Sequence, residues 1–325
     1  MKYFALIGAA GYIAPRHMQA IADTGNQLIA AVDPHDSAGA LDRHFPEARF
    51  FTEVDAFANH LRHRRVEVTD PPADYVSICS PNYLHDEHAA LGLKLDADVI
   101  CEKPLALTPA RLDALQMLER QTGRRVNTIL QLRLLPALCE LKQRLATSPP
   151  QRPHDVVLTY VTRRGHWYDV SWKGNPSKSG GVAMNIGIHF FDLLRWLFGE
   201  VRQSTLHLRH PRRMAGYLEL AHARVRWLLS LEQSDLPASS RVRSATAYRS
   251  LTVDGEELEF TGFAELHTAS YQRVLDGRGF GLDDARPAVE LVHGMQQHPL
   301  QPQRGMPHPA LHDDAPTDPI GAGPD

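Results

Sequence analysis

The chain is predicted to be α/β: a doubly wound parallel sheet with crossover helices comes first, and an α+β domain with an open mixed or antiparallel sheet follows. Three observations carry this. Short apolar runs at residues 3–7, 28–32, 75–79, 99–101 and 126–132 alternate with helix-length segments, the β-α-β rhythm of a parallel sheet. Glycine, proline and polar side chains gather directly after these runs, where an open α/β sheet binds its ligands. Beyond residue 203 the pattern changes to alternating segments separated by turn residues, among them Asp254-Gly255.

Composition excludes several other classes. With 325 residues and 43% hydrophobic content the chain can bury more than one core. Its net charge of −3 and lack of basic-aromatic repeats argue against nucleic acid as the main partner. Cys79, Cys101 and Cys139 are odd in number and set in apolar segments, as expected of reduced thiols in the cytoplasm. No apolar run approaches the ~20 residues of a membrane span.

The first run stops at Gly8-Ala9-Ala10-Gly11-Tyr12-Ile13, ahead of a helix over 15–24. Gly8 permits a tight turn and Gly11 a close backbone approach to a pyrophosphate facing the helix N-terminus. Ala10 and Ile13 stand where the dinucleotide fingerprint has its second and third glycines. The run 28–32 ends in Asp33, 22 residues past Gly11, where a carboxylate binds a ribose 2′-OH and repels a 2′-phosphate. This favours NAD over NADP; the competing reading of Asp33 is a strand-end cap before Pro34.

Residues 60–65 read as the exposed face of a helix. The run 75–79 ends in Ser80-Pro81-Asn82-Tyr83-Leu84-His85. His85 and His88 have metal-ligand spacing on a helix, but no second cluster completes a site, so no metal is expected. The run 99–101 ends in Glu102-Lys103-Pro104, and the proline restricts Lys103 to an extended conformation with a defined side-chain direction. A helix over 108–121 closed by Gly123 and a strand over 126–132 complete the first domain, with Gln131 and Arg133 at its exit. A helix over 136–146 and a linker at 148–153 follow.

Residues 155–162 alternate like a half-buried strand, and 163–178 concentrate Arg163, Arg164, Trp167, Tyr168, Trp172, Lys173 and Lys178. Cationic groups suit phosphate or carboxylate and aromatic faces suit a base or sugar ring; the alternative is an exposed loop packed on the sheet or a subunit interface. Ser179-Gly180-Gly181 opens a helix over 182–198 on which Asn185, His189 and Asp192 share a face, with Gly187 leaving room beside His189. An antiparallel meander over 204–260, helices over 267–275 and 282–295, and a disordered tail over 298–325 complete the reading.

In order, the glycine turn, Asp33, Ser80-Pro81-Asn82 with His85, Glu102-Lys103-Pro104, and Gly180-Gly181 through Asn185 to His189 resemble the glucose-fructose oxidoreductase and inositol dehydrogenase family, Gfo/Idh/MocA, over residues 1–297. The resemblance implies a Rossmann domain over 1–133 and a substrate and oligomerisation domain over 134–297 that builds dimers or tetramers. It implies NAD contacts from Gly8, Gly11, Tyr12, Ile13, Asp33, Ser80, Asn82, His85, Glu102, Lys103 and Gln131. It also sets Lys103 and His189 beside the nicotinamide and the sugar carbon. The Gly8–Pro15 turn, Gln131-Leu132-Arg133, Arg163–Tyr168 and Ser171–Gly174 are most similar to the UDP-N-acetylglucosaminuronate 3-dehydrogenase branch, which serves bacterial surface polysaccharide.

That branch implies a nucleotide-sugar substrate held by Arg133, Arg163, Trp167, Tyr168, Lys173 and Lys178. The broad family has Asp where this chain has Asn185, and a neutral amide cannot act as a base. Proton transfer therefore falls to Lys103 and His189, with Asn185 orienting the sugar while NAD+ takes hydride from C3. A lysine base needs a lowered pKa, which burial or a positive nicotinamide would supply. Two alternatives stay open: a redox-assisted glycosidase or another sugar dehydrogenase on this fold, and a regulator that binds NAD without chemistry.

Overall fold

The computed structural model describes residues 1–66, 70–147, 152–242, 245–258, 265–302 and 304–311. The first half runs β1 (Tyr3–Ile7), α1 (Ala14–Asp23), β2 (Gln27–Val32), α2 (Ala40–His44), β3 (Arg49–Phe51), α3 (Val54–Val66), β4 (Tyr75–Ile78), α4 (His85–Lys94), β5 (Asp98–Cys101), α5 (Pro109–Thr122), β6 (Val126–Thr128) and α6 (Pro136–Thr147). Its six strands are parallel in the order β3-β2-β1-β4-β5-β6. Helices cover both faces, so strands such as Val99-Ile100-Cys101 are buried without alternation. The order reverses between β1 and β4, and the ends of those strands flank the crevice where such sheets bind ligands. The edge strand β3 was not foreseen, because three residues carry too little pattern. The strand expected over 126–132 stops at Thr128, whose N–H donates to the Phe280 carbonyl at 2.7 Å, and a 3-10 turn follows at Gln131–Leu134.

The second half runs β7 (His154–Thr162), α7 (Trp167–Val170), α8 (Pro176–Ser179), α9 (Ile188–Phe198), β8 (Val201–His210), β9 (Arg213–Leu220), β10 (Ala223–Ser230), α10 (Ala238–Val242), β11 (Ala247–Val253), β12 (Glu256–Glu257), α11 (Leu266–Leu275) and α12 (Leu282–Gln297). The sheet order is β12-β11-β7-β10-β9-β8. The expected antiparallel meander holds through β8, β9 and β10 and is corrected at β11: β7 enters between β10 and β11, parallel to the first and antiparallel to the second, which makes the sheet mixed. Asp254 and Gly255 turn the last hairpin with φ of 51° and 88°. The expected linker falls partly, and the residues from 259 to 264 wholly, outside the described chain.

Helix α9 lies on the inner face of this sheet. Phe191 meets Trp227 edge-on at 5.1 Å between centroids, a geometry that adds about 0.5–1.5 kcal/mol to burial. Gly187 does not leave a cavity beside His189: a Cβ there would lie 2.5 Å from Leu229 Cδ1, so this glycine lets the helix seat against β10. Helix α11 returns to pack on α1, and α12 packs on α5 and α9, so the boundary at 133/134 does not separate two independent cores.

The expected disordered tail is corrected for residues 298–302 and 304–311; residues 303 and 312–325 lie outside the described chain. His308 Nε2 lies 3.0 Å from Thr159 Oγ1, His207 Nε2 lies 2.7 Å from the Arg304 carbonyl, and Leu300 bridges Leu206. By register Leu228 and Ala215 share the face of Thr159, and this apolar outer surface holds residues 300–302 and 304–311 in place despite their polar composition.

Candidate active site

β1 hands the chain to Gly8 at φ +91°, where a Cβ would lie 2.6 Å from the Cys79 carbonyl carbon and the Ser80 nitrogen. The glycine turn is thus pressed against the exit of β4, and only a residue without a side chain fits. Gly11 N–H donates to the Gly8 carbonyl at 3.1 Å and closes the turn ahead of α1. At the end of β2 the Asp33 carboxylate accepts N–H bonds from Ala10 (3.0 Å) and His35 (2.9 Å). Turn, helix N-terminus and carboxylate are adjacent, the set a dinucleotide requires. Ile13 packs inward while Tyr12 stands 89% exposed over the turn.

Four expected cofactor contacts, Ser80, Asn82, His85 and Glu102, have partners within the protein itself. The ring nitrogens of buried His85 lie 2.6 Å from the Pro104 carbonyl and 2.7 Å from the Ser80 carbonyl; burial lowers its pKa, and the neutral imidazole donates to one of these two acceptors. His88 Nδ1 meets Ser80 Oγ at 2.8 Å, and burial lowers its pKa to about 4. The Asn82 amide donates to the Ser179 carbonyl (3.0 Å) and toward Asn185 Oδ1 (3.4 Å), tying the first domain to the second. Gln131 Oε1 is enclosed and without a partner.

The Glu102 carboxylate is also engaged. Oε1 accepts from His17 Nε2 and His267 Nε2, each at 3.0 Å, and Oε2 accepts the Lys103 backbone N–H at 3.2 Å. Burial works against the charge, but the two imidazole bonds outweigh it and hold the carboxyl well below its usual range. His17, Glu102 and His267 are also the grouping of metal-ligating side chains found among the described residues.

Lys103 reaches across the cleft, and its Nζ donates to the Asn185 carbonyl at 3.2 Å. Residues Ala183–Gly187 form a π-helical turn ahead of α9, and such turns displace backbone carbonyls from the regular ladder. Asn185 Nδ2 donates to Tyr168 Oη at 3.0 Å, which sets the amide. His189 is half-buried against Tyr160 and Phe190, with Nδ1 enclosed and unpartnered. Burial first, then the charges of Lys103 and Arg249, hold its pKa well below the usual imidazole value, so it is neutral at neutral pH. Asp192 does not share this site: it faces Arg133.

Arg133 is engaged by the second half of the chain. Its guanidinium donates to both Asp192 oxygens (2.6 and 3.0 Å) and to Asp284 (2.8 Å), and it stacks over Phe280 at 5.0 Å. Its donors are turned to two carboxylates, a buried ion pair between the domain exit and α9.

The basic-aromatic segment is built as a wall. Lys173 Nζ lies 4.6 Å from the Trp172 ring and 5.5 Å from that of Trp167, and burial together with the charges of Arg164 and Lys103 lowers its pKa. Lys178 sits over Tyr83 at 5.3 Å, Tyr168 is buried, and Arg163 and Trp167 are exposed. Arg212 anchors the segment through Asp169 (2.7 Å) and Glu232 (2.6 Å). Arg212, His17 and His267 were missed by sequence reasoning; for the histidines the available signal was a buried acid, Glu102, that needed partners.

The description "Oxidoreductase family, NAD-binding Rossmann fold" matches residues 2–129, and its C-terminal alpha/beta domain matches residues 153–310. The WlbA (WbpB) dehydrogenase of Thermus thermophilus, crystallised with NAD and UDP-GlcNAcA and with NAD and alpha-ketoglutarate, is 49–50% identical, with a TM-score of 0.91 over 96% of this chain and 100% of that one. The WlbA dehydrogenase of Bordetella pertussis, at 20% identity and TM-score 0.74 over 91% of this chain and 94% of the other, shares the fold. The 1,5-anhydro-D-fructose reductase of Ensifer adhaerens is 25% identical over 212 residues, 65% of this chain and 60% of its own length. Matched through both halves, the chain belongs to the Gfo/Idh/MocA family of oxidoreductases with an NAD-binding Rossmann domain.

Proposed function

We propose that the protein oxidises the C3 hydroxyl of a UDP-linked N-acetylated sugar acid, UDP-N-acetylglucosaminuronic acid, to the 3-keto sugar, with NAD as cofactor. The observation that carries the reading is the 3.2 Å contact between Lys103 Nζ and the Asn185 carbonyl, which brings the Glu102-Lys103-Pro104 turn and the helix of Asn185 and His189 to one point. The half-identical Thermus enzyme, crystallised with that nucleotide sugar, supports the substrate.

Gly8, Gly11 and Asp33 are suited to hold the dinucleotide, and Gln131 Oε1, enclosed without a partner, accepts a donor from it. Bound there, NAD+ supplies the hydride acceptor. His189, neutral near a lysine, is able to take up the hydroxyl proton and release it to solvent after turnover, and Lys103 supplies an N–H donor. Asn185, fixed by Tyr168, orients the sugar ring without competing as a base. Lys173, Lys178, Arg163 and Trp167 offer cation and ring faces to the pyrophosphate, carboxylate and uracil. We assign the reaction to the cytoplasm, to amino-sugar synthesis for surface polysaccharide, and to a homotetramer or dimer. Among the described residues no helix is long and apolar enough to cross a membrane.

Incubation with NAD+ and UDP-N-acetylglucosaminuronic acid, read by mass for loss of two hydrogens from the sugar, tests the reading. A parallel arm adds 2-oxoglutarate, motivated by the Thermus complex, and looks for 2-hydroxyglutarate, so that reoxidation in place does not hide turnover. No change in the sugar in either arm refutes the proposal.

A further inference from the structure

A chain of buried polar side chains outside the cleft ends on the backbone of Lys103. Ser77 Oγ lies 2.6 Å from Tyr271 Oη, Tyr271 Oη lies 2.8 Å from His17 Nδ1, and His17 Nε2 lies 3.0 Å from Glu102 Oε1. His267 Nε2 reaches the same oxygen at 3.0 Å, while Oε2 accepts the Lys103 N–H. All five side chains are buried. The ionised carboxylate only accepts, so His17 and His267 must each present Nε2–H to it. A neutral His17 then accepts at Nδ1, so Tyr271 must donate there and Ser77 must donate to Tyr271. One carboxylate charge therefore assigns the hydrogen-bonding protons along the chain, and a chain with every donor matched is stiff.

The elements involved are far apart in sequence. His17 lies on α1, Glu102 follows β5, and His267 and Tyr271 lie on α11, so a helix from the last quarter of the chain grips the strand end that carries Lys103. We propose that His17 and His267 are positioning residues for Lys103, acting through the Glu102 carboxylate. The inference rests on the reading of Lys103 as a proton-transfer group. Without its two N–H donors the carboxylate would lose the bonds that direct Oε2 at the Lys103 amide, and Lys103 Nζ would leave its place on the Asn185 carbonyl. Neither histidine touches substrate or cofactor in this scheme.

The variants are His267→Leu and His17→Leu, which remove a donor, His267→Gln, which returns an amide N–H, and Tyr271→Phe, which removes only the hydroxyl that orders His17. With UDP-N-acetylglucosaminuronic acid, the leucine variants are expected to lose roughly tenfold or more in kcat and to shift the pH profile, at nearly unchanged KM and NAD affinity. Glutamine should recover most of the loss, and Tyr271→Phe, the variant least disruptive to folding, should shift the profile in the same direction.

A readout that needs no turnover is the 13C resonance of reductively methylated Lys103, assigned by its absence in Lys103→Ala. It should move in His267→Leu and Tyr271→Phe and return in His267→Gln. A moved resonance in a protein whose wild type fails to oxidise the sugar rejects the functional reading and retains the positioning. Wild-type kcat, pH profile and resonance in folded leucine variants overturn the positioning. Stoichiometric metal in the purified wild type, lost in His267→Gln, also overturns it in favour of a metal site.

Discussion

Replacing Arg133 by methionine separates a structural ion pair from a substrate contact. Its side chain is 9% exposed and that of Asp192 is 3% exposed, with two bonds of 2.6 and 3.0 Å between them. Removing one partner leaves an uncompensated buried carboxylate, a change that costs about 3–5 kcal/mol. Asp284 is partly open to solvent and adds little. The melting temperature should fall by roughly 5–10 °C.

The loss should also depend on pH. Burial already pushes the Asp192 pKa up and Arg133 pulls it down, so without Arg133 it rises further. The folded variant then binds a proton that the unfolded chain, titrating near an ordinary aspartate value of about 4, has released. The folded state holds more protons across that window, so stability falls as pH rises through it and the deficit is smaller at pH 5 than at pH 8. Thermal unfolding at both pH values measures this, and the double variant Arg133→Met with Asp192→Leu should recover most of it. Sugar KM should be unchanged in the folded single variant. A variant of wild-type stability with a much higher sugar KM would falsify the ion-pair assignment.

Lys103→Ala and His189→Ala are each expected to lower kcat by at least about a hundredfold while NAD affinity, followed by fluorescence titration, changes little; normal turnover in either removes that residue from proton transfer. Asp33→Ala should raise the use of NADP relative to NAD, since the carboxylate beside the glycine turn no longer repels a 2′-phosphate; unchanged selectivity places the ribose elsewhere. Gly8→Ala should abolish NAD binding, because φ +91° costs a side chain about 1–2 kcal/mol and its Cβ meets backbone at 2.6 Å. The acid limb of the kcat profile should lie below the ordinary histidine range, as His189 stays neutral until its lowered pKa is reached; a limb at or above pH 6.5 points to another base.

Most of the parallel sheet was legible because β1, β2, β4 and β5 are covered on both faces and read as mainly apolar runs, each ending in a turn with glycine or proline. The order of the second sheet was not, since the pairing of β7 with β10 and β11 joins segments some seventy and ninety residues apart and leaves no local trace. The same distinction runs through the site residues. Gly8 and Lys103 were readable because backbone geometry constrains them, the one by its turn and the other by the proline after it. The partners of Arg133 and His85 were not legible, because a side chain's direction is chosen by groups that sequence does not place nearby: Asp192 is 59 positions from Arg133, and the Pro104 carbonyl is 19 from His85. His17 and His267 belong to no motif. They become significant only when two helices bring them to one buried acid.

The neutral amide at 185 gains meaning from the charges around it. Lys103, Lys173, Arg164 and Arg249 are close enough for Lys103 to lower the proton affinity of both Lys173 and His189, and for Arg164 and Arg249 to add to those effects. The compensating negative charge, Glu102, is held behind the site by two imidazoles. An aspartate at 185 would stand against Tyr168 and Asn82 as a second anion, partly cancelling the Lys103 ammonium and opposing any carboxylate brought near it. With asparagine the mouth keeps its positive field, and the Lys103 ammonium is satisfied by a backbone carbonyl released by the π-turn, which carries no net charge. A site of this kind discriminates by the charge of what enters. Under the proposed reading, a nucleotide sugar bearing a carboxylate as well as a pyrophosphate should be turned over better than the same sugar with a neutral hydroxymethyl group, and Asn185→Asp should narrow that preference by lowering the rate on the acid.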